Sequence, residues 1–195
     1  MHASVPLPED ATVRHIIDAS QSSFVVQVFA TGLLSAFGHN PNIAARDFEG
    51  GVDFTSTGGA IVGARLSVRI RGDSLEVTDD INEKDRAEIH RRMCDEVLET
   101  DRFPEIAYEC SQVRASGDGS RYWANLKGEM TLHGITRSLP VSVKVILNGN
   151  SLRASGEFTL SQREYGIAPV SAAGGTIRVK DAVKITFDIV ARQQE

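Results

Sequence analysis

His39 is the residue whose surroundings most invite a chemical role. It follows Phe37-Gly38 and precedes Asn40-Pro41. An imidazole in this place is a candidate metal ligand or a polar contact for a bound molecule, or it satisfies backbone groups at a strand corner. Because no second ligand stands two or four residues away, we predict no metal site and keep His39 as a polar contact candidate.

Arg163 and Tyr165 form a second group that could bring a cation and a phenol to an interior site. A buried arginine needs an anionic or hydrogen-bonding partner. We therefore expect Arg163 either to pair with an internal carboxylate or to meet the polar head of a ligand. His133 precedes Gly134, which gives the backbone freedom to bend. It is expected to hold a turn, and a metal pair with His39 is the weaker alternative.

The sequence carries no catalytic signature. Ser35 lies near His39, but no Gly-x-Ser-x-Gly element is present. Paired carboxylates and phosphate-cradling glycine loops are also missing from the sequence. We therefore predict that the protein is not an enzyme and uses no cofactor, apart from an isoprenoid or acyl lipid that could co-purify. Cys94 and Cys110 are expected to be small buried hydrophobes, and a disulfide between them stays open.

Composition limits the class of partner. The chain has 195 residues, a formal net charge of -5 and 6% aromatic residues. Nucleic-acid binding proteins need a basic surface and often stacking aromatics, so this class is excluded. We expect one domain over residues 1–195, with residues 1–12 flexible. With no apolar span and no signal peptide, the expected compartment is the cytoplasm, or the periplasm if a leader has been removed.

Hydrophobic residues alternate with polar ones along most of the sequence. In the run 62–70 the residues Val62, Ala64, Leu66, Val68 and Ile70 share one face. Such alternation is typical of antiparallel strands with one buried face. The same period recurs in the runs 24–29, 106–111, 139–147, 152–160 and 183–189.

One segment, about 82–98, instead has the period of an amphipathic helix. Asn82 is its expected N-cap, with Asp85 three positions later. Many short strands and a single helix predict an all-β fold, an antiparallel β-barrel or a sandwich. A barrel of about eight strands is large enough to enclose one small ligand.

The inward faces supply the candidate lining residues. Leu33 and Phe37 form an apolar cluster after the first long strand and are expected at the mouth of the cavity or against a second subunit. The other candidate ligand-binding residues are Val26, Val28, Leu66, Val68, Tyr108, Met130, Val143, Phe158 and Phe187.

Four motifs, in order, resemble the YceI-like family. They are Asp101 to Tyr108 (DRFPEIAY), Gly128 to Leu139 (GEMTLHGITRSL), Leu160 to Ile167 (LSQREYGI) and Asp181 to Phe187 (DAVKITF). The segment from Leu33 to Asn40 (LLSAFGHN) departs from the usual pattern, and no signal peptide is present, which suggests a variant branch.

The resemblance implies a lipocalin-like barrel that binds polyisoprenoid lipids, with many relatives periplasmic or secreted. We predict a protein that binds a long apolar ligand, a polyisoprenoid or another lipid-like chain, for transport, storage or sensing. The alternatives are a structural or interaction protein with a filled barrel, and an enzyme on a small hydrophobic substrate. A homodimer is a further expectation of the resemblance; no nucleic acid and no integral membrane segment is expected.

Overall fold

The computed structural model describes residues 12–32, 40–58, 60–172 and 177–194. Strands dominate these ranges. They are β1 (Thr12–Ile17), β2 (Ser23–Gly32), β3 (Asn42–Ala45), β4 (Phe48–Thr57), β5 (Ala60–Arg71), β6 (Leu75–Val77), β7 (Glu105–Gly117), β8 (Arg121–Leu132), β9 (Ile135–Asn148), β10 (Ser151–Ser161), β11 (Ser171–Ala172) and β12 (Ile177–Gln193).

Eight antiparallel strand positions close into a barrel. Five of them are the single strands β7, β8, β9, β10 and β12. Each of the other three consists of two strands in line: β1 with β2, β3 with β4, and β5 with β6. Strand β1 closes the barrel because it pairs with β4 on one side and with β12 on the other, where His15 lies opposite Gln193. The prediction of an antiparallel barrel of about eight strands is confirmed.

The two ends of the barrel differ. Short hairpins join β4 to β5, β7 to β8 and β9 to β10 at one end, which we call the hairpin end. The helix and the turn between β8 and β9 lie at the opposite end, which we call the helical end. Because neighbouring strands are antiparallel, every hairpin of the first set must lie on the same side of the barrel.

A β-bulge in β5 shifts the alternation of side chains. Gly63 has a φ of 64°, a left-handed conformation that glycine adopts at little cost. The pairing register shifts here, since Asp53 lies opposite Arg65 but Thr55 lies opposite Val62. The extra residue turns Val62 outward, where it is 48% exposed, although simple alternation places it on the face of Ala64.

The single α-helix of the described ranges, α1 (Glu83–Arg92), runs on into a π-helical turn over Met93–Val97. Asn82 caps it as predicted: its Oδ1 accepts a hydrogen bond of 2.9 Å from the Asp85 amide. The Arg86 guanidinium donates to the carbonyl oxygens of Val77 and Asp79 and so fixes the helix to the end of β6. No helix in the described ranges is long and apolar enough to cross a bilayer.

Candidate binding cavity

The barrel encloses a cavity of about 480 Å³. Its volume lies within the range of about 300–1,000 Å³ that is usual for small-molecule sites. Several inward residues in the middle of long strands are half-buried, among them Val26, Val68 and Phe158, because part of their surface faces this space. The interior is therefore lined, and not filled, by its apolar residues.

The residues that period-two alternation assigned to the inward faces lie on the cavity wall. All nine interior candidates of the sequence analysis that lie in the described ranges line the cavity. They are Val26, Val28, Leu66, Val68, Tyr108, Met130, Val143, Phe158 and Phe187. Three further candidates, Leu33, Phe37 and His39, lie outside the described residues.

Tyr108 contributes a phenol to the cavity wall, and the hydroxyl of this phenol is hydrogen-bonded to the protein backbone. Its hydroxyl donates a hydrogen bond of 3.0 Å to the carbonyl oxygen of Leu139. Burial raises the pKa of this hydroxyl above its usual value, so it stays protonated. The ring covers Gly128, where an added Cβ would lie 2.5 Å from the ring atoms. The glycine thus allows the tyrosine to lie flat against the strand.

Among the described residues, the lining of the cavity extends to an exposed side chain at the helical end. Ile89 of α1 lines it and is 41% exposed. The two lining residues there with polar side chains are Arg92 and Gln162 within the described part of the chain. Arg92 donates to Glu96 at 3.1 Å, and Gln162 donates to the carbonyl oxygen of Lys180 at 3.0 Å. Both polar groups are thus hydrogen-bonded within the protein at this end of the cavity.

The hairpin end of the cavity is closed by buried apolar side chains. Phe54, Ala191, Val145 and Leu152 line it and are almost inaccessible to solvent. Next to them lies His15, which is fully buried. Burial lowers its pKa below the usual value for histidine. The floor of the cavity is therefore apolar, and the imidazole of His15 lies behind it, stacked on Phe54.

Arg163 and Tyr165 do not form the inward-facing polar pair that the motif suggested. Arg163 is exposed, and its backbone amide donates to Asp181 at 2.9 Å. Tyr165 is buried among apolar residues such as Leu132 and Ile167, and it does not line the cavity. The cause is local: β10 ends at Ser161, and the 3-10 turn over Gln162–Tyr165 breaks the strand alternation. Gln162 lies on the cavity wall, where Arg163 and Tyr165 were expected.

The other residues with chemical potential have structural surroundings. His133 lies in the turn between β8 and β9, as predicted, with its Nδ1 3.2 Å from the Tyr165 carbonyl oxygen and its Nε2 2.7 Å from Glu99. Cys94 and Cys110 are both free and buried. Among the described residues, no group of three or more histidine, cysteine, aspartate or glutamate side chains could hold a metal ion.

Comparison with known proteins settles the family. A model of the YceI-like domain matches residues 16–191. The chain belongs to the YceI-like family. The family resemblance of the four sequence motifs is thereby confirmed. A search of the curated proteins gives no significant match.

Solved structures share this YceI-like fold at low sequence identity. BcnA of Burkholderia cenocepacia has 17% identity and a TM-score of 0.69, with 89% of this chain and 98% of that chain covered. A polyisoprenoid binding domain from Saccharophagus degradans has 12% identity and a TM-score of 0.67, with 92% and 98% covered. The YceI protein of Campylobacter jejuni has 13% identity and a TM-score of 0.58, with 78% and 85% covered. At these identities the likeness shows the fold.

Proposed function

We propose that this YceI-like barrel binds a long apolar molecule, a polyisoprenoid or a similar lipid chain, as a carrier, a store or a sensor. The observation that carries the proposal is the apolar cavity of about 480 Å³. The similar fold described as a polyisoprenoid binding domain in Saccharophagus degradans supports the class of ligand.

Transfer of an apolar chain from water to the cavity wall is energetically favourable. Each CH₂ group moved from water into an apolar site contributes roughly 0.8 kcal/mol. Association costs about 4–15 kcal/mol. A chain that buries about ten carbons gains enough to offset a cost in the lower half of this range. Arg92 and Gln162 at the helical end would then select the head of the molecule, since a few polar groups set orientation in an apolar site.

A binding function explains the open apolar interior better than a structural or a catalytic role does. A barrel with a purely structural role has no need of an open interior, since the free energy of packing favours filling it. A catalytic role needs a nucleophile or an acid–base pair near the substrate. Among the described lining residues, polar side chains are limited to Arg92, Tyr108 and Gln162, and Tyr108 is bonded to the backbone.

Mass spectrometry of a denatured extract of the purified protein tests the proposal first. We expect an isoprenoid or acyl lipid in about stoichiometric amount. A protein free of lipid that also fails to bind isoprenoid alcohols or fatty acids added to it would contradict the proposal.

A cavity-filling variant locates the ligand. Ala154 lines the cavity on β10, and Ala154→Phe puts a ring into the space that the ligand would occupy. We expect the affinity for an isoprenoid alcohol to fall at least tenfold. Thr159→Phe, on the exposed face of the same strand, is the control and keeps wild-type affinity. Equal effects of the two variants would place the ligand outside the barrel.

The homodimer stays a prediction of the family resemblance, and the compartment stays a prediction of the sequence analysis. Light scattering on the purified protein measures the first. Fractionation of the source cells measures the second.

A further inference from the structure

Trp123 lies on the outer face of the barrel wall. Strand β8 alternates strictly over residues 121–130, so Tyr122 and Ala124 are buried whereas Trp123 is 64% exposed. It is the only tryptophan of the chain. A single exposed apolar side chain is common on protein surfaces and means little by itself. The residues around this indole give it a possible role, because they are basic.

Three cations surround the indole on this face. Lys144 of β9 lies directly opposite Trp123. Arg121 is two residues away on the same strand, and Arg114 of β7 lies diagonally across from the indole. Opposite residues on one face of a sheet have Cβ atoms about 4.5–5.5 Å apart, and diagonal neighbours are about 7–8 Å apart. Half-buried Ile146 lies opposite Arg121 and adds apolar surface. We call this set the Trp123 patch: Arg114, Arg121, Trp123, Lys144 and Ile146.

The three cations of the patch form no salt bridge with an acidic side chain of the described ranges. Charges on the neighbouring strands β10 and β12 are paired, Arg153 with Asp188 and Lys184 with Glu157. The carboxylate of Asp118, in the adjoining turn, accepts hydrogen bonds from two backbone amides of that turn. The residues outside the patch that lie opposite its members are uncharged or basic, namely Ser116, Asn125, Arg153 and Ser155. The patch therefore has an unbalanced positive charge.

We propose that the Trp123 patch docks the barrel on the surface of an anionic lipid bilayer. Tryptophan is enriched at the interface of membrane and water, where its ring lies at the level of the headgroups. Basic side chains beside it are attracted to anionic headgroups. This docking does not depend on the proposed ligand, because it uses the outer face of strands whose inner residues, such as Ala124 and Val143, line the cavity.

The charge of the whole molecule gives the docked barrel an orientation. The chain has a formal net charge of -5, so an anionic bilayer repels the protein as a whole. The three cations of the patch provide a local attraction, which turns the outer face of β7, β8 and β9 towards the lipid. Because the attraction acts between exposed charges, we expect binding to be reversible and to weaken as salt is added.

A bilayer suits the patch better than a protein partner does. The core of a protein–protein interface is depleted of charged residues, and a stable interface buries about 800 Å² on each partner. In the Trp123 patch, charged side chains surround a single indole, so the patch offers no apolar core of that kind. An indole among basic side chains is instead the composition of a segment that lies at a membrane interface.

Intrinsic fluorescence tests the proposal on the wild-type protein. Because Trp123 is the only tryptophan, its emission reports on the patch directly. With vesicles of equal parts phosphatidylcholine and phosphatidylglycerol, we expect the emission to move to shorter wavelength, and brominated acyl chains in these vesicles to quench it. Vesicles of phosphatidylcholine alone should produce neither change. Sodium chloride at about 1 M, where the Debye length is about 3 Å, should reverse most of the shift. An emission that the mixed vesicles leave unchanged would overturn the proposal.

A charge reversal beside the indole tests the contribution of the cations. We expect Lys144→Glu to lower the affinity for the mixed vesicles, measured by co-sedimentation, about tenfold. Lys84→Glu, at an exposed position of α1, changes the net charge by the same amount and should bind as the wild type does. Equal losses in the two variants would mean that the overall charge controls binding, and would overturn the role of the patch. Circular dichroism checks that both variants are folded.

Poly-L-glutamate is the probe for the rival partner, an acidic protein surface. We expect it to leave the emission wavelength of Trp123 unchanged, because it offers charge without an apolar layer for the indole. A shift with this polymer and none with the mixed vesicles would assign the patch to a protein partner, and docking on a bilayer would then be wrong.

Discussion

At the scale of single residues, Glu99 and His133 form a brace at the helical end of the barrel. Both have a positive φ, 47° and 52°, which is uncommon for residues other than glycine. Their side chains meet at 2.7 Å, and the Glu99 carboxylate also accepts from Arg102 at 2.8 Å. The contact joins the segment after the helix to the turn between β8 and β9. The side-chain bonds therefore stabilise two unfavourable backbone conformations at once.

This brace should make stability depend on pH. The hydrogen bond from Arg102, and after it the one from His133, hold the pKa of Glu99 below its usual value. A carboxyl whose pKa is lower in the folded state stabilises the fold above its unfolded pKa, and loses that effect as the pH falls through the folded value. We expect Glu99→Gln to lower the urea midpoint at pH 7, and to converge with wild type only once the pH has fallen below the folded pKa of Glu99.

Urea denaturation followed by circular dichroism over this pH range provides the measurement. Glu105→Gln, at an exposed position of β7, is the matched control and should change the midpoint little at any pH. A Glu99→Gln deficit that stays constant down to the lowest pH would show that the charge of Glu99 has no part in the brace.

His15 and Arg163 show which residues could be predicted from the sequence. His15 alternates with Val13 and Ile17, so a strand read from residue 12 would have found it on the inward face. Arg163 was a candidate for an inward position from its motif, but the strand ends before it and the 3-10 turn leaves it exposed. The place of Arg92 on the cavity wall was not predictable, because it depends on how the helix packs across the barrel end and not on local pattern.

At the scale of elements, period-two alternation predicts the wall well until a bulge interrupts it. The register also shifts in β7 between Cys110 and Val113, so the inward face moves from even to odd residue numbers. A one-residue shift sends every later side chain to the other face. The isolated Gly63 in β5 was the sequence signal for the first bulge. No glycine marks the second, and the sequence gives no comparable signal for it.

The bulge at Gly63 predicts a stability effect that arises from the backbone alone. A Cβ added at Gly63 would contact nothing within 4 Å, so sterics with neighbours play no part. The left-handed conformation itself should cost a β-branched residue about 1–2 kcal/mol. We expect Gly63→Val to reduce the free energy of unfolding by about this amount, as measured by urea denaturation. Gly63→Asn should lose clearly less, because asparagine tolerates this conformation; equal losses would contradict this origin.

At the scale of the whole molecule, the described part of the barrel contains three clusters of buried apolar residues around an open interior. One buried cluster surrounds Phe54 and Tyr122, a second Leu132 and Tyr165, and a third Phe48 and Met93. Compact domains usually have one contiguous core. Here half-buried residues that line the cavity pack against more than one of these clusters and connect them. A chain bound against these residues would add apolar contacts to the clusters, so ligand and fold should stabilise each other.

Removal of the ligand should therefore destabilise the protein. A ligand at a hundred times its Kd stabilises the native state by about 2.7 kcal/mol. For a chain of this size that corresponds to about 5–10 °C in Tm. We expect delipidation to lower Tm by this amount in calorimetry, and added isoprenoid alcohol to restore it. Ala154→Phe, whose cavity is occupied by its own side chain, should show little change on either treatment. A similar loss in that variant would mean that the stabilising lipid binds elsewhere on the protein, because a molecule outside the barrel is indifferent to the filling of its interior.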